Sequence, residues 1–250
     1  MTRTNPACVS RKPTGLRITA LSAFTACAAP EIESFPPQGP DATGLILLIH
    51  GSGDSANDWP SELAIQLEDS MKNAALWDVV AYDWADEAEN RLRAAAVGLR
   101  HGEALGDFLS SERNYEALQV IAHSVGGHVS HGISLTWQEG ILQQTFLDPF
   151  GGRGLLRWGY GHRRFGETAT FAETYFNADD GVPSTERAPL HTHGFDVTDT
   201  RDRLYKEDPH WWPIDWYRGS RGSGYGLDLA LPFSGADHWD NFPIGEDSVL

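Results

Sequence analysis

Cysteine is almost missing from this sequence. Both of its cysteines, Cys8 and Cys27, lie within the first 27 of 250 residues, so no disulfide framework or thiolate metal site can form downstream. Positive charge is scarce as well. Nineteen lysines and arginines face 35 acids, and the net charge of −16 repels phosphate backbones and argues against nucleic-acid binding. No stretch of about 20 apolar residues occurs, which excludes a transmembrane helix. Fixed-period repeats and low-complexity tracts are lacking too. What is present is apolar mass: hydrophobic residues make up 40% of the chain, and nine Trp, eleven Phe and seven Tyr can fill a substantial core.

The first 43 residues read as an N-terminal arm, closed by the linker FPPQGPDATG at 35–44 with its three prolines and two glycines. Within it, Arg11, Lys12 and Arg17 precede the modest apolar stretch ITALSAFTA, followed by CAAP. That layout resembles a bacterial export signal, and FTAC loosely resembles a lipobox that would make Cys27 a lipid-bearing residue. An ordinary arm or first strand fits the same residues, in which case the protein is cytoplasmic. Residues 44–250 are expected to form a single domain.

Past the linker, strand-like and helix-like segments alternate. LILLIH (45–50) is a continuous aliphatic run, as a strand buried on both faces requires, and WDVVAYDW (77–84) reads as a second buried strand. ALQVIAH (117–123), ILQQTFLD (141–148), ATFAETYFN (169–177) and HTHGFDVT (191–198) follow as strands three to six. Residues 60–73, 86–112 and 125–137 read as helices, the second with Ala88, Leu92, Ala95 and Leu99 along one stripe. Gly98, Gly102 and Gly106 recur every fourth position on it. Each costs on the order of 1 kcal/mol against alanine in a helix interior, so close packing against the sheet is expected. The alternation implies βαβ units: an α/β fold with a doubly wound, mostly parallel sheet and helices on both faces.

Three features fall at the ends of successive strands, where open α/β sheets bind ligands. IHGSGDSANDWP (49–60) ends a strand in His-Gly and opens into a small-residue loop whose backbone N–H groups can turn inward, as a tetrahedral oxyanion needs. QVIAHSVGGHVS (119–130) has the form of a strand, a sharp turn and a helix. Such an elbow exposes a serine hydroxyl beside a base, and the N–H of the next residue points at the same place. Ala122 replaces the first glycine of the usual Gly-x-Ser-x-Gly, whereas Gly126 and Gly127 keep the other side small. A serine capping a helix N-terminus is the competing reading of Ser124. In TFLDPFGG, Pro149 and the paired glycines halt a strand and leave Asp148 at its C-terminal edge. Asp179 and Asp180 follow the next strand and compete as the acid. Among later histidines, His210 in DPHWWPIDWYRGS sits on a loop able to reach the sheet edge, with His238 in reserve. His191 and His193 lie two apart on a strand, which suits a metal pair, but no third ligand with sensible spacing is apparent.

These motifs together resemble the α/β-hydrolase superfamily, and within it the lipase/esterase branch: LLIHGSG the oxyanion-loop region, IAHSVGGH the nucleophile elbow and FLDPFGG the Leu-Asp-Pro segment, over roughly residues 44–220. The resemblance implies a serine hydrolase acting on ester bonds through an acyl-enzyme intermediate. Ser124 would be the nucleophile, His210 the base and Asp148 the acid, with Asp180 as the alternative acid. Ser52 and Val125 would give oxyanion N–H groups. It implies no metal or other cofactor and a small-molecule or lipid-like ester as substrate. A peptidase or acyltransferase with the same triad, and a non-catalytic binding protein of the same fold, remain open.

Two further expectations concern the substrate. GGRGLLRWGYGHRRFGE (151–167) carries Arg153, Arg157, Arg163 and Arg164 in an otherwise acidic protein, and as a loop beyond the fourth strand it is expected to overhang the site as a cover. Trp211, Trp212, Trp216 and Tyr217 beside His210 suggest an apolar pocket wall or, alternatively, core.

Overall fold

A computed structural model describes residues 30, 32, 35–154, 157–234, 239, 242, 244–245 and 247–250. The export-signal reading, with Cys8 and Cys27, and the reserve histidine His238 lie outside them. Seven strands form one sheet: β1 (Gly44–Ile49), β2 (Trp77–Tyr82), β3 (Ala117–His123), β4 (Ile141–Leu147), β5 (Phe171–Phe176), β6 (His193–Asp196) and β7 (Asp247–Val249). Their spatial order is β2-β1-β3-β4-β5-β6-β7, and every neighbouring pair is parallel. The helices are α1 (Trp59–Ser70), α2 (Ala85–Ala88), α3 (Arg91–Glu112), α4 (Gly127–Thr136), α5 (Tyr160–Arg164), α6 (Trp212–Arg218) and α7 (Leu231–Ser234). No helix among the described residues is long and apolar enough to cross a membrane.

Side chains alternate across the sheet, and each face has its own apolar layer. Leu45, Leu47, Ile49, Val120 and Ala122 join Leu105, Val129 and Ile133 of α3 and α4. Ile46, Leu48 and Ile121 instead join Leu63 and Leu67 of α1 and Ile214 and Tyr217 of α6. This is the doubly wound α/β arrangement that the sequence predicts. Since every strand points the same way, all their C-terminal ends open on one edge.

Several local expectations are corrected. β2 is not a fully buried strand: it lies at the sheet edge, no strand among the described residues flanks its outer side, and most of its residues are partly exposed. The long helix over 86–112 is two helices, because Asn90 caps α3 by accepting a hydrogen bond from the Leu92 N–H. Leu92 is 84% exposed and leaves the apolar stripe, whose buried members are Ala94, Ala95, Leu99, Leu105 and Leu109. The sixth strand is short and excludes His191, and the C-terminal strand β7, three residues long, carried no sequence signal.

The three glycines do allow close packing, but against a helix and not the sheet. A Cβ on Gly102 would overlap the Val129 carbonyl, one on Gly106 the Thr136 hydroxyl, and one on Gly132 the Leu99 carbonyl. The α3 and α4 backbones therefore touch, which explains why residues costly to a helix interior occupy it. Gly102→Ala gains about 1 kcal/mol of helix propensity but forces an overlap with backbone that costs about 1–3 kcal/mol. Urea denaturation should show a less stable protein, and a gain in stability would refute the packing account.

A polar cluster interrupts the core between β4 and β5. Buried Glu173 accepts hydrogen bonds from Tyr175 (2.7 Å), Thr145 (2.8 Å) and Gln143 (3.2 Å). Burial pushes its carboxyl up to about 7, against the pull of those three donors. The folded state thus holds a proton that the unfolded chain releases near 4.5. The stability linked to it is complete below that value and is lost as pH rises towards 7, on the order of 3 kcal/mol in all. Glu173→Gln should flatten the stability–pH curve between about pH 5 and 7 in thermal melts; an unchanged slope would contradict this.

Candidate active site

Ser124 sits where β3 ends. One residue after the strand, its backbone turns left-handed (φ 52°), and a single 3-10 turn (Ser124–Gly126) leads into α4. A non-glycine residue in this region is uncommon and marks a sharp reversal, here one that lifts the serine off the strand end. The turn is possible because its neighbours are small. A Cβ on Gly126 would lie 2.7 Å from the His50 carbonyl oxygen, and one on Gly51 would lie 3.0 Å from the Ser124 Cβ. The other small position, Ala122, is fully buried opposite Ile49 and Phe146 on the neighbouring strands. Ser124 thus heads a 3-10 turn in αL geometry, which an ordinary helix N-cap does not have.

His210 lies 86 residues further along, in a 3-10 turn (Pro209–Trp211) that begins with a side-chain cap: the Asp208 carboxylate accepts from the His210 N–H. Its ring Nδ1 lies 2.8 Å from Asp148 Oδ2 and 2.7 Å from Asp180 Oδ2. Both competing acids therefore reach the same nitrogen, and both carboxyl groups are closed to solvent. Asp148 ends β4 in a left-handed conformation (φ 45°), and its other oxygen accepts from the Asn177 N–H. The Asp180 Oδ1 accepts from the Val182 N–H and the Thr185 hydroxyl. Asp179 points elsewhere, in a two-pronged pair with Arg201. Although burial disfavours an imidazolium, the two carboxylates raise His210 to about 9. Burial holds the Asp148 carboxyl well above the usual range, whereas Asp180, despite its own burial, is held below it by His210, Asp148 and Thr185.

A second histidine braces the first. His123 of β3 donates from Nε2 to the His210 carbonyl (3.1 Å), its ring lies 4.6 Å from the His210 ring, and the Trp211 ring lies 5.5 Å from it. Burial lowers His123, so it is neutral, and its Nδ1 faces the buried Asp54 carboxylate at 3.7 Å.

Ser124, His210, Val125 and Ser52 line one cavity of about 370 Å³. The Ser52 hydroxyl is engaged by the Ala88 carbonyl, and His50 behind it is fixed by the Gly51 carbonyl and by the Trp84 N–H. The rest of the wall includes Asp54, Arg91, Phe150, Val182 and Trp211. Of the four aromatics near His210, only Trp211 borders this cavity; Trp212, Trp216 and Tyr217 pack into the core layer of α6.

No described residue of the arginine-rich segment borders the cavity. Its helix α5 lies against α4 through Phe165 and Tyr160, which contact His128 and His131. Arg164 pairs with Glu167 and Arg153 stacks on Tyr160, and among the described residues none of the four arginines borders the cavity. The metal pair fails as well: His191 lies in the turn before β6 with Nε2 on the Arg163 carbonyl, while His193 is buried against Phe195. The one group among the described residues whose donor atoms converge closely enough for a metal ion, within 4.8 Å, is Asp148, Asp180 and His210 itself. Sequence reasoning missed Asp54, Arg91 and Val182, which sit in loops or at a helix start and follow no motif. It weighed His123 only as a neighbour of the serine.

No family model matches the chain, and no curated protein does. Among solved structures, the chain is similar to the peroxisomal alpha-beta-hydrolase Lpx1 of Saccharomyces cerevisiae, at 20% identity and a TM-score of 0.33, over 46% of this chain and 34% of that one. The match spans about a third of that protein's length. The parallel sheet wound on both faces, with a left-handed serine between a central strand and the following helix, is the α/β-hydrolase fold.

The elbow generates a test of its unusual alanine. Ala122→Gly removes a buried methyl and loosens a strand, and should cost about 1–2 kcal/mol without speeding labelling of Ser124 by a fluorophosphonate. Faster labelling in the glycine variant would show that the methyl hinders the turn.

Proposed function

We propose that this protein is a serine hydrolase that cleaves carboxylic esters. The observation that carries the reading is the environment of His210: its Nδ1 is held by buried carboxyl groups, which leaves Nε2 for the cavity that Ser124 also lines. In this reading Ser124 Oγ attacks the acyl carbonyl while His210 Nε2 takes its proton. The carboxyl groups at Nδ1, Asp148 and Asp180, orient and stabilise the imidazolium. The tetrahedral oxyanion is met by the backbone N–H groups of Val125 and Ser52, whose place on the cavity wall supports that role. His210 then returns the proton to the leaving alcohol, and water releases the acyl group by the same steps in reverse. No metal or other cofactor enters. The cavity volume suits a small-molecule ester or the acyl end of a lipid-like one.

A binding protein of the same fold would have no need of a left-handed serine and a carboxyl-held imidazole on one cavity wall, which favours the catalytic reading. A fluorophosphonate probe should label the wild type and neither Ser124→Ala nor His210→Ala. Hydrolysis of p-nitrophenyl acetate should fall by about 10³-fold or more in both variants. A chelator should change neither readout. Failure of the wild type to label, or labelling that survives in Ser124→Ala, would refute the proposal.

A further inference from the structure

One imidazole nitrogen carries one proton, yet two carboxyl oxygens lie within hydrogen-bond distance of His210 Nδ1. They come from different strands, Asp148 from the end of β4 and Asp180 from the loop after β5, and neither is open to water. The three reaching atoms, one from each aspartate and Nδ1 of the ring, lie within 4.8 Å of one another. Two full negative charges this close, both closed to solvent, repel strongly, and the repulsion is relieved when one of the carboxyl groups holds a proton.

We propose that Asp148 and Asp180 form one proton-sharing carboxyl pair with a single negative charge, so that either residue alone can support His210. The proposal rests on reading His210 as the base. The proton resides on Asp148, which has a single backbone donor, the Asn177 N–H. The charge resides on Asp180, whose Oδ1 has two donors from Val182 and Thr185 while its Oδ2 takes the imidazole proton. Replacing Asp148 by Asn leaves Asp180 ionised, with an amide in place of the acid proton. Replacing Asp180 leaves Asp148 with His210 as its remaining charged neighbour, and Asp148 then gives up its proton and takes over the charge. Both residues act through His210 and are positioning residues. The other titratable groups around the ring are Asp208, at the start of its own turn, and neutral His123 on β3, whose far nitrogen faces Asp54; Arg91 lies across the same cavity.

The test compares Asp148→Asn, Asp180→Asn and the double variant with the wild type, using p-nitrophenyl acetate across pH. Each single variant is expected to keep kcat/KM within about tenfold of the wild type, and the double variant to fall by about 10³–10⁴-fold, as when a triad acid is lost. The acid limb of the pH profile should stay in place in both single variants, where one charge remains. In the double variant it should move to lower pH, because His210 loses its stabilising anion. A single variant that falls to the level of the double would overturn the proposal, and so would a double variant no worse than the singles. Infrared spectroscopy of protein isotope-labelled at aspartate supplies a readout independent of activity and of the variants' folding. A protonated aspartyl carboxyl at neutral pH is expected in the wild type, and its absence there would overturn the proposal. If the wild type neither labels with fluorophosphonate nor cleaves the ester, the hydrolase reading fails, while the infrared signal still decides whether the pair shares a proton.

Discussion

The structure depends on one constraint: seven strands hydrogen-bonded in parallel. Parallel neighbours cannot be joined by tight turns, so the chain must cross back over a face between consecutive strands, mostly as a helix. The crossovers supply both apolar layers, and the common strand direction gathers the ends of β1, β3, β4 and β5 on one rim. The loop after Ile49, Ser124 after β3, Asp148 after β4 and Asp180 after β5 come together for that topological reason. His210 alone comes from outside the sheet, and it is secured by a cap from Asp208, a ring contact with His123 and the carboxyl pair.

Burial governs the chemistry of this rim. The same loss of water that makes a charged group expensive raises the Asp148 carboxyl and keeps His123 neutral, while hydrogen bonds hold Asp180 ionised and the imidazole basic. Groups of one chemical type are thereby given different protonation states within a few ångströms. The wall of the cavity is built from the loop after β1, the start of α3 and the turn carrying His210, which leaves the arginine-bearing segment to a separate job as packing for α4.

Much of this was legible in the sequence because strong local rules coincide with the fold. Aliphatic runs such as LILLIH have no stable place except a doubly covered strand, and β3 was bounded to the residue because the polar stretch ending at Glu116 and the Ser-Val-Gly-Gly turn flank a mostly apolar run. The elbow was legible from the small residues around Ser124, since tight backbone approach leaves a compositional trace. What was not legible depends on tertiary neighbours. The glycines of α3 announced a close contact but not its partner, Leu92 follows the helical period yet meets solvent, and β7 is too short to leave a pattern. The acid could not be chosen between Asp148 and Asp180 for a physical reason: both are strand-end aspartates, and the structure brings both to His210.

Ser124 and Asp148 share a backbone conformation that L-residues with a side chain avoid. At both positions glycine would suit the turn better, and neither has it. Holding two such residues at neighbouring strand ends withdraws about 1–3 kcal/mol each from a fold whose total margin is about 5–15 kcal/mol. The rim is therefore a part of the molecule where the fold accepts backbone strain in order to hold particular side chains in place. A search for stabilising substitutions would be drawn first to the residues that the proposed reaction can least spare.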